Sequence, residues 1–200
     1  MKKIRILHLL FILLFIITIY LTSTKTVLYN EHFYNQEFGK LGVYDKIGNA
    51  GEISDSIINF YQNKGDLYNG FNEKESNHLN DVKILINQSK NLLLILSITL
   101  ITLLAIILFN NQNINKVIIS TGITGLILPI PFLLFSFTNI FTKFHLIFFP
   151  QGNWQFPFNS LLIQLFPKQF FLDAIILIIL KSSIFSILMI IMGFYLVNKR

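Results

Sequence analysis

Apolar residues along this chain gather into four runs, 6–21, 92–109, 117–137 and 174–197, separated by stretches rich in Asn, Lys, Glu and Gly. A helix needs about 20 residues to cross about 30 Å of hydrocarbon, so each run is near spanning length. The pattern predicts a first span within 1–24, a polar cap over 25–91, and a second span at 92–109. A short link at 110–116, a third span at 117–137, an outer loop at 138–173 and a fourth span at 174–197 complete the chain. The first run follows Lys2, Lys3 and Arg5, as a secretory signal would. Leu21-Thr22-Ser23-Thr24-Lys25 holds no convincing small-residue cleavage site, so the run reads as an uncleaved anchor. Pro129 and Pro131 remove backbone donors and predict a kink in the outer half of the third span.

The polar segments have their own patterning. Residues 29–34 and 38–44 mix aromatics with Gly and small polar residues, which predicts short strands and turns. Ile57, Ile58 and Tyr61 fall at helical spacing within 53–61 and predict a short amphipathic helix. Asn72-Glu73-Lys74-Glu75 has the form of a capped helix start, with an N-cap Asn and a Glu three residues on, and predicts an amphipathic helix over about 73–90. The stretch 143–171 is greasy enough to enter the membrane interface and too broken by Pro and Gly to span it. The expected fold is a membrane all-α core of four transmembrane helices, with a small mixed α/β extracytoplasmic cap and a partly membrane-dipping outer loop.

Composition narrows the class. Hydrophobic residues at 53% and charged residues at 13% leave too little polar surface for a water-soluble particle of 200 residues, so this is an integral membrane protein. The formal net charge of +6 is scattered and partly gathered at membrane boundaries, which favours anionic lipid over nucleic acid as a partner. Lys2, Lys3 and Arg5, Lys116, and Lys199-Arg200 fall on one side of a four-span arrangement, so both termini are expected in the cytoplasm. Nine of the ten acidic residues then lie in the extracytoplasmic segment 25–91, and Asp173 ends the other outer segment. Without Cys there is no disulfide framework, thiol nucleophile or thiolate metal site.

The chemistry is confined to few addresses. Of the four histidines, His8 lies inside the first run and His32 in a turn-rich stretch, while His78 and His145 both border the outer membrane surface. His78 and Asp81 are three apart and share a helix face, where the carboxylate would orient the imidazole and favour its protonated form. His145 stands between Phe144 and the greasy run 146–149, where desolvation would keep its ring neutral. Two imidazoles so placed can divide general base and general acid roles, His145 as base and His78 as acid. Gln151, Asn153 and Trp154 interrupt the grease with N–H donors beside His145 and are candidates for oxyanion or substrate contact. Lys181, two turns inside the fourth run, either snorkels to the surface or lines a polar cavity as a further substrate contact.

The stretch Glu73-Lys74-Glu75-Ser76-Asn77-His78-Leu79-Asn80-Asp81-Val82-Lys83 resembles the acidic-helix motif of the lipoprotein intramolecular transacylase family, four-span membrane proteins formerly of unknown function. Phe144-His145, Phe148, Trp154 and the run 162–171 resemble its second motif, and the likeness extends over nearly the whole chain. It departs at Asn159-Ser160, where the family leads one to expect an acidic residue. The resemblance implies an acyltransferase at the extracytoplasmic face of the cell membrane. The sn-2 acyl chain of a diacylglyceryl-cysteine lipoprotein would move to the cysteine's own α-amino group, giving the lyso form, with His78 and His145 essential. The implied partners are a diacylglyceryl lipoprotein and membrane lipid, with no cofactor and no metal, because an amide is more stable than an ester and both reacting groups belong to one molecule. Two other classes stay open on the residues alone. A non-catalytic lipid or lipoprotein-binding protein would need the aromatic loop but not both histidines. A membrane metallohydrolase would need a third ligand beside them, for which only Asp81 or Glu75 is at hand.

Overall fold

The computed structural model describes residues 2–110, 113–130 and 135–198. Among them there are eight helices: α1 (Lys2–Leu28), α2 (Glu31–Lys40), α3 (Ala50–Tyr61), α4 (Glu73–Phe109), α5 (Ile114–Ile127), α6 (Phe137–Phe148), α7 (Leu161–Leu165) and α8 (Lys168–Asn198). No strand occurs among the described residues, so the expected mixed α/β cap is corrected to an all-helical one. The reason is visible in α2. The Asn30 side chain caps it by accepting from Phe33 N at 3.2 Å, and Phe33, Tyr34, Glu37 and Phe38 form one buried helical face. Aromatic density favours a strand, but the i, i+1, i+4, i+5 spacing of these residues is that of a helix stripe.

The chain divides into two compact units. One comprises Met1–Lys25, Ser89–Leu134 and Leu177–Arg200; the other comprises Thr26–Gln88 and Phe135–Ile176.

The first unit holds α1, the apolar part of α4, α5 and most of α8. Phe11, Leu100, Leu103, Ile107, Ile114, Val117 and Ile118 form its core, with Leu7 and Leu196 packed against them. Small residues allow α5 and α8 to approach closely: a Cβ on Gly122 would come within 2.5 Å of the Ser186 carbonyl oxygen, and one on Gly193 within 2.4 Å of Ile119. The outward faces are apolar, with Leu9 and Leu13 on α1, Leu94, Ile98 and Ile101 on α4, and Ile184, Leu188 and Ile191 on α8 all exposed. Such a surface suits hydrocarbon rather than water.

Three of the described helices are long and apolar enough to cross a membrane: Arg5–Leu28, Glu73–Phe109 and Lys168–Asn198. The expected third span, over 117–137, is not among these three, and its residues 131–134 lie outside the described residues. The described part of that run lies largely in α5, a shorter apolar helix of 14 residues, about 21 Å long. It stops short of Pro129 because a proline there has no N–H to donate to the carbonyl of Gly125, four residues back. The Tyr20 hydroxyl of α1 donates to that carbonyl instead, at 3.1 Å. Pro129 falls two residues past the end of α5, and Pro131, the other residue of the expected kink, lies outside the described residues.

The second unit is built on aromatic packing. Phe33, Tyr34 and Phe38 of α2 meet Phe166 and Phe170 with ring centroids 5.2–6.0 Å apart. α3 buries Ile53, Ile57, Ile58 and Tyr61. Lys40 reaches Asp173 at 2.6 Å and Glu37 at 3.3 Å. The N-terminus of α4 is capped reciprocally, Glu75 N donating to Asn72 Oδ1 and Asn72 N donating to Glu75 Oε2, each at 3.0 Å. From there α4 runs as a single helix through the polar residues 87–91 into its apolar half.

Candidate functional site

The helical cap brings the two motif histidines together. His78 lies on α4, well before the apolar part that begins at Leu92, and His145 lies in the last turn of α6. Both are buried, and their rings stack with centroids 6.1 Å apart and planes inclined at 27°. Phe149 packs on both, 4.9 Å from His78 and 5.6 Å from His145. Phe156 closes the other side of His78 at 5.6 Å, and Trp154 lies 4.8 Å from His145. Sixty-six positions separate the two histidines in sequence, and it is α6, ending where Phe149 N donates to His145 O at 2.8 Å, that delivers the second ring.

A strap of chain, residues 150–157, lies along α4 and is pinned on both sides of His78. One turn after the histidine, Asp81 Oδ2 accepts from Gln151 Nε2 at 2.8 Å and from Asn153 Nδ2 at 2.5 Å. One turn before it, Lys74 Nζ donates to Gln155 O at 2.6 Å, and its ammonium sits 5.3 Å from the Phe156 ring centroid. Gly152 takes a positive φ of +76° between Gln151 and Asn153, a left-handed turn that a side chain would strain. Glu75, fully buried, accepts from Leu162 N at 2.9 Å and so ties the start of α7 to α4. The sequence marks Glu75 as a cap and, for a metallohydrolase, as a possible ligand, but not as a tie between α4 and α7. That role was invisible because the partner is a backbone N–H 87 residues away.

Protonation follows from these surroundings. His145 Nδ1 lies 2.8 Å from Phe141 O. A carbonyl oxygen can only accept, so the proton is on Nδ1, and in the neutral ring Nε2 carries the free lone pair. Burial lowers the His145 pKa, with the Phe141 bond opposing it. The pKa of His78 falls further, to about 4, first by burial and then by the proximity of His145, with the charge of Asp81 and the Asn153 amide pulling the other way. Asp81 spends its hydrogen-bonding capacity on Gln151 and Asn153. Its raising effect on His78 acts through charge and is outweighed by desolvation, so His78 is not the more readily protonated ring that the i,i+3 spacing suggested.

Three buried polar atoms here have no hydrogen-bond partner among the described residues: His78 Nδ1, Asn153 Oδ1 and Trp154 Nε1. Unpaired buried groups cost about 1–3 kcal/mol each, and a site that meets a polar substrate is where such a cost is met. No three His, Cys, Asp or Glu side chains among the described residues converge as metal ligands would. His78, His145, Asp81, Gln151, Asn153 and Trp154 therefore form one cluster, while Lys181 belongs to the other unit, on α8 beside buried Ser182.

Comparison with known proteins adds to this geometry. The chain is similar to an uncharacterised protein of Aquifex aeolicus, 29% identical over 154 residues, covering 74% of this chain and 68% of the relative. In solved structures it superposes on the membrane-integral lipoprotein intramolecular transacylase Lit of Bacillus cereus with a TM-score of 0.84, at 21% identity, covering 99% of this chain and 97% of the other. A variant of that protein with one histidine replaced by alanine superposes at a TM-score of 0.82, 21% identity, and coverage of 99% and 95%. The family of the lipoprotein intramolecular transacylase Lit matches residues 8–171, most of the chain and all of the histidine cluster. The chain therefore belongs to the lipoprotein intramolecular transacylase family, membrane enzymes that transfer an acyl group within a lipoprotein.

Proposed function

We propose that His78 and His145 carry the sn-2 acyl chain of a diacylglyceryl-cysteine lipoprotein to the α-amino group of the same cysteine, leaving a lyso-form lipoprotein. The observation that carries this reading is the pair of stacked, buried imidazoles, both held neutral, one of them with its Nε2 lone pair fixed free by the Phe141 bond. The reaction asks for two proton acceptors. At neutral pH the α-amino group, with an ordinary pKa of about 8, is an ammonium. His145 Nε2 takes its first proton, and the amine nitrogen attacks the ester carbonyl carbon. His78 takes the proton from the nitrogen of the tetrahedral adduct. The carbonyl reforms, the bond from carbon to the glycerol oxygen breaks, and His78 returns its proton to that oxygen. His145 releases its own to solvent. The unpaired Trp154 Nε1–H is a donor for the adduct's oxyanion, a role worth about 3 kcal/mol.

The setting fits a substrate drawn from the membrane. α6 exposes Phe144, Leu146, Ile147 and Phe148, and Phe158 in the loop that follows is 94% exposed. Such a face lies in the lipid interface, which supports the membrane-dipping reading of this segment. The orientation with both termini in the cytoplasm is supported by the core of the first unit, where Leu7, Ile114 and Leu196 share one cluster. Arg5 and Lys116, each two residues from a member of that cluster, thereby share one end of that unit.

The test uses purified full-length protein in vesicles with a synthetic diacylglyceryl lipopeptide. The product has the mass of the substrate, and fragmentation distinguishes an N-acylated cysteine bearing one glyceryl ester. His78→Ala and His145→Ala should each abolish its formation while inserting and binding the lipopeptide normally. Normal turnover by either variant overturns the reading, and binding without turnover by the wild type favours a lipoprotein-binding protein instead.

A further inference from the structure

We propose that Asn153 is a positioning residue that links Asp81 to His78: its amide N–H is held by the carboxylate, and its carbonyl oxygen receives the His78 Nδ1–H, leaving Nε2 as the basic atom of His78. The inference rests on the acyl-transfer reading above and deepens it.

The direction of the Asn153 amide follows from its neighbour. A carboxylate only accepts hydrogen bonds, and Asp81 Oδ2 stands 2.5 Å from Asn153 Nδ2, so the NH₂ end of the amide faces Asp81 and Oδ1 faces away. That Oδ1 is buried and unpaired, and so is His78 Nδ1. One is an acceptor and the other becomes a donor in one tautomer of the ring, so each can remove the other's cost. The Asn153 side chain is moreover one of the groups that favour a proton on His78. Catalytic hydrogen bonds are commonly long in a resting site and tighten when substrate fills it. His145 reaches the same state by another route, its Nδ1–H held by Phe141 O. With both Nδ1 atoms engaged, both rings offer Nε2 lone pairs, as two successive proton acceptances require. Gln151 provides the contrast, because it donates to the same Asp81 oxygen at 2.8 Å but is exposed.

The experiment is ¹⁵N histidine NMR on the full-length protein in micelles, with His78 assigned from the signals lost in His78→Ala. The wild-type ring is expected as the Nδ1–H tautomer. Asn153→Ala should shift it toward the Nε2–H tautomer and lower kcat about tenfold, the loss of one hydrogen bond, with KM for the lipopeptide little changed. Gln151→Ala, which removes an equivalent bond to Asp81, should leave the His78 tautomer as it is. A merely structural strap would respond alike to both substitutions. An unchanged tautomer in Asn153→Ala overturns the proposal. An Nε2–H ring in the wild type does so without any variant having to fold. Failure of the acyl-transfer reading would show instead as no N-acylation by the wild type, and failure of the role given to His78 as turnover by His78→Ala, whatever the tautomer.

Discussion

At the scale of single residues, desolvation decides the chemistry of the site. His78 and His145 sit among Phe149, Phe156 and Trp154, and burial is the first cause of the lowered pKa of both. An unfolded chain takes up protons on these rings near pH 6.5, whereas folded His78 resists until about pH 4. Over that window the unfolded state binds more protons, so folding stability falls as pH drops and levels off below the folded value. Thermal unfolding in micelles should occur at a lower temperature at about pH 5 than at about pH 7.5, and His78→Phe should reduce the difference. A wild type equally stable at both would contradict the buried neutral ring. That His78 and His145 share one site was legible from their aromatic and polar company in the sequence. What Asp81 holds was not, because the i,i+3 rule sees only neighbours on one helix, and the amides of Gln151 and Asn153 arrive from 70 and 72 residues away.

At the scale of elements, the departures from expectation share a cause: a local pattern was overruled by a partner distant in sequence. Residues 31–40 are rich in aromatics, yet they form a helix because Phe166 and Phe170 offer a surface for one stripe of it. The third apolar run is long enough to span, yet α5 ends at Ile127, since Pro129 cannot continue the ladder and Tyr20 satisfies the carbonyl left open. The capped start at Asn72 and Glu75 is readable from the sequence, as the motif needs residues only three apart. Glu75 also connects two elements of the site. Its buried carboxylate takes one backbone N–H from the start of α4 and another from α7. Glu75→Ala would orphan both donors, at about 1–3 kcal/mol each, and release α7 from the helix that carries His78. Glu75→Ala should lower the unfolding temperature markedly, and Glu75→Gln, which retains one accepting oxygen, should lower it less. An alanine variant as stable as the wild type would mean that neither bond contributes.

At the scale of the whole molecule, the exposed surface of the first unit calls for hydrocarbon, and the sign of the exposed charge calls for an orientation. Composition made the membrane assignment plain from the sequence. The number of crossings was less plain, because hydropathy measures how apolar a run is and not where its backbone ladder ends. Orientation follows from charge near the ends of short segments. Leu7 and Ile114 share one cluster, so Arg5 and Lys116 belong to the same end of the first unit, the end proposed to face anionic headgroups on the cytoplasmic side. The proposed mechanism depends on this sidedness, since the substrate proposed for the histidine pair would be reached from the extracytoplasmic face. Tags at both termini should withstand protease added outside intact spheroplasts, while a cleavage site engineered at Gly65, in the exposed turn after α3, should be cut. Digestion of either terminal tag from outside would reverse the charge argument and move the histidine pair away from the substrate proposed for it.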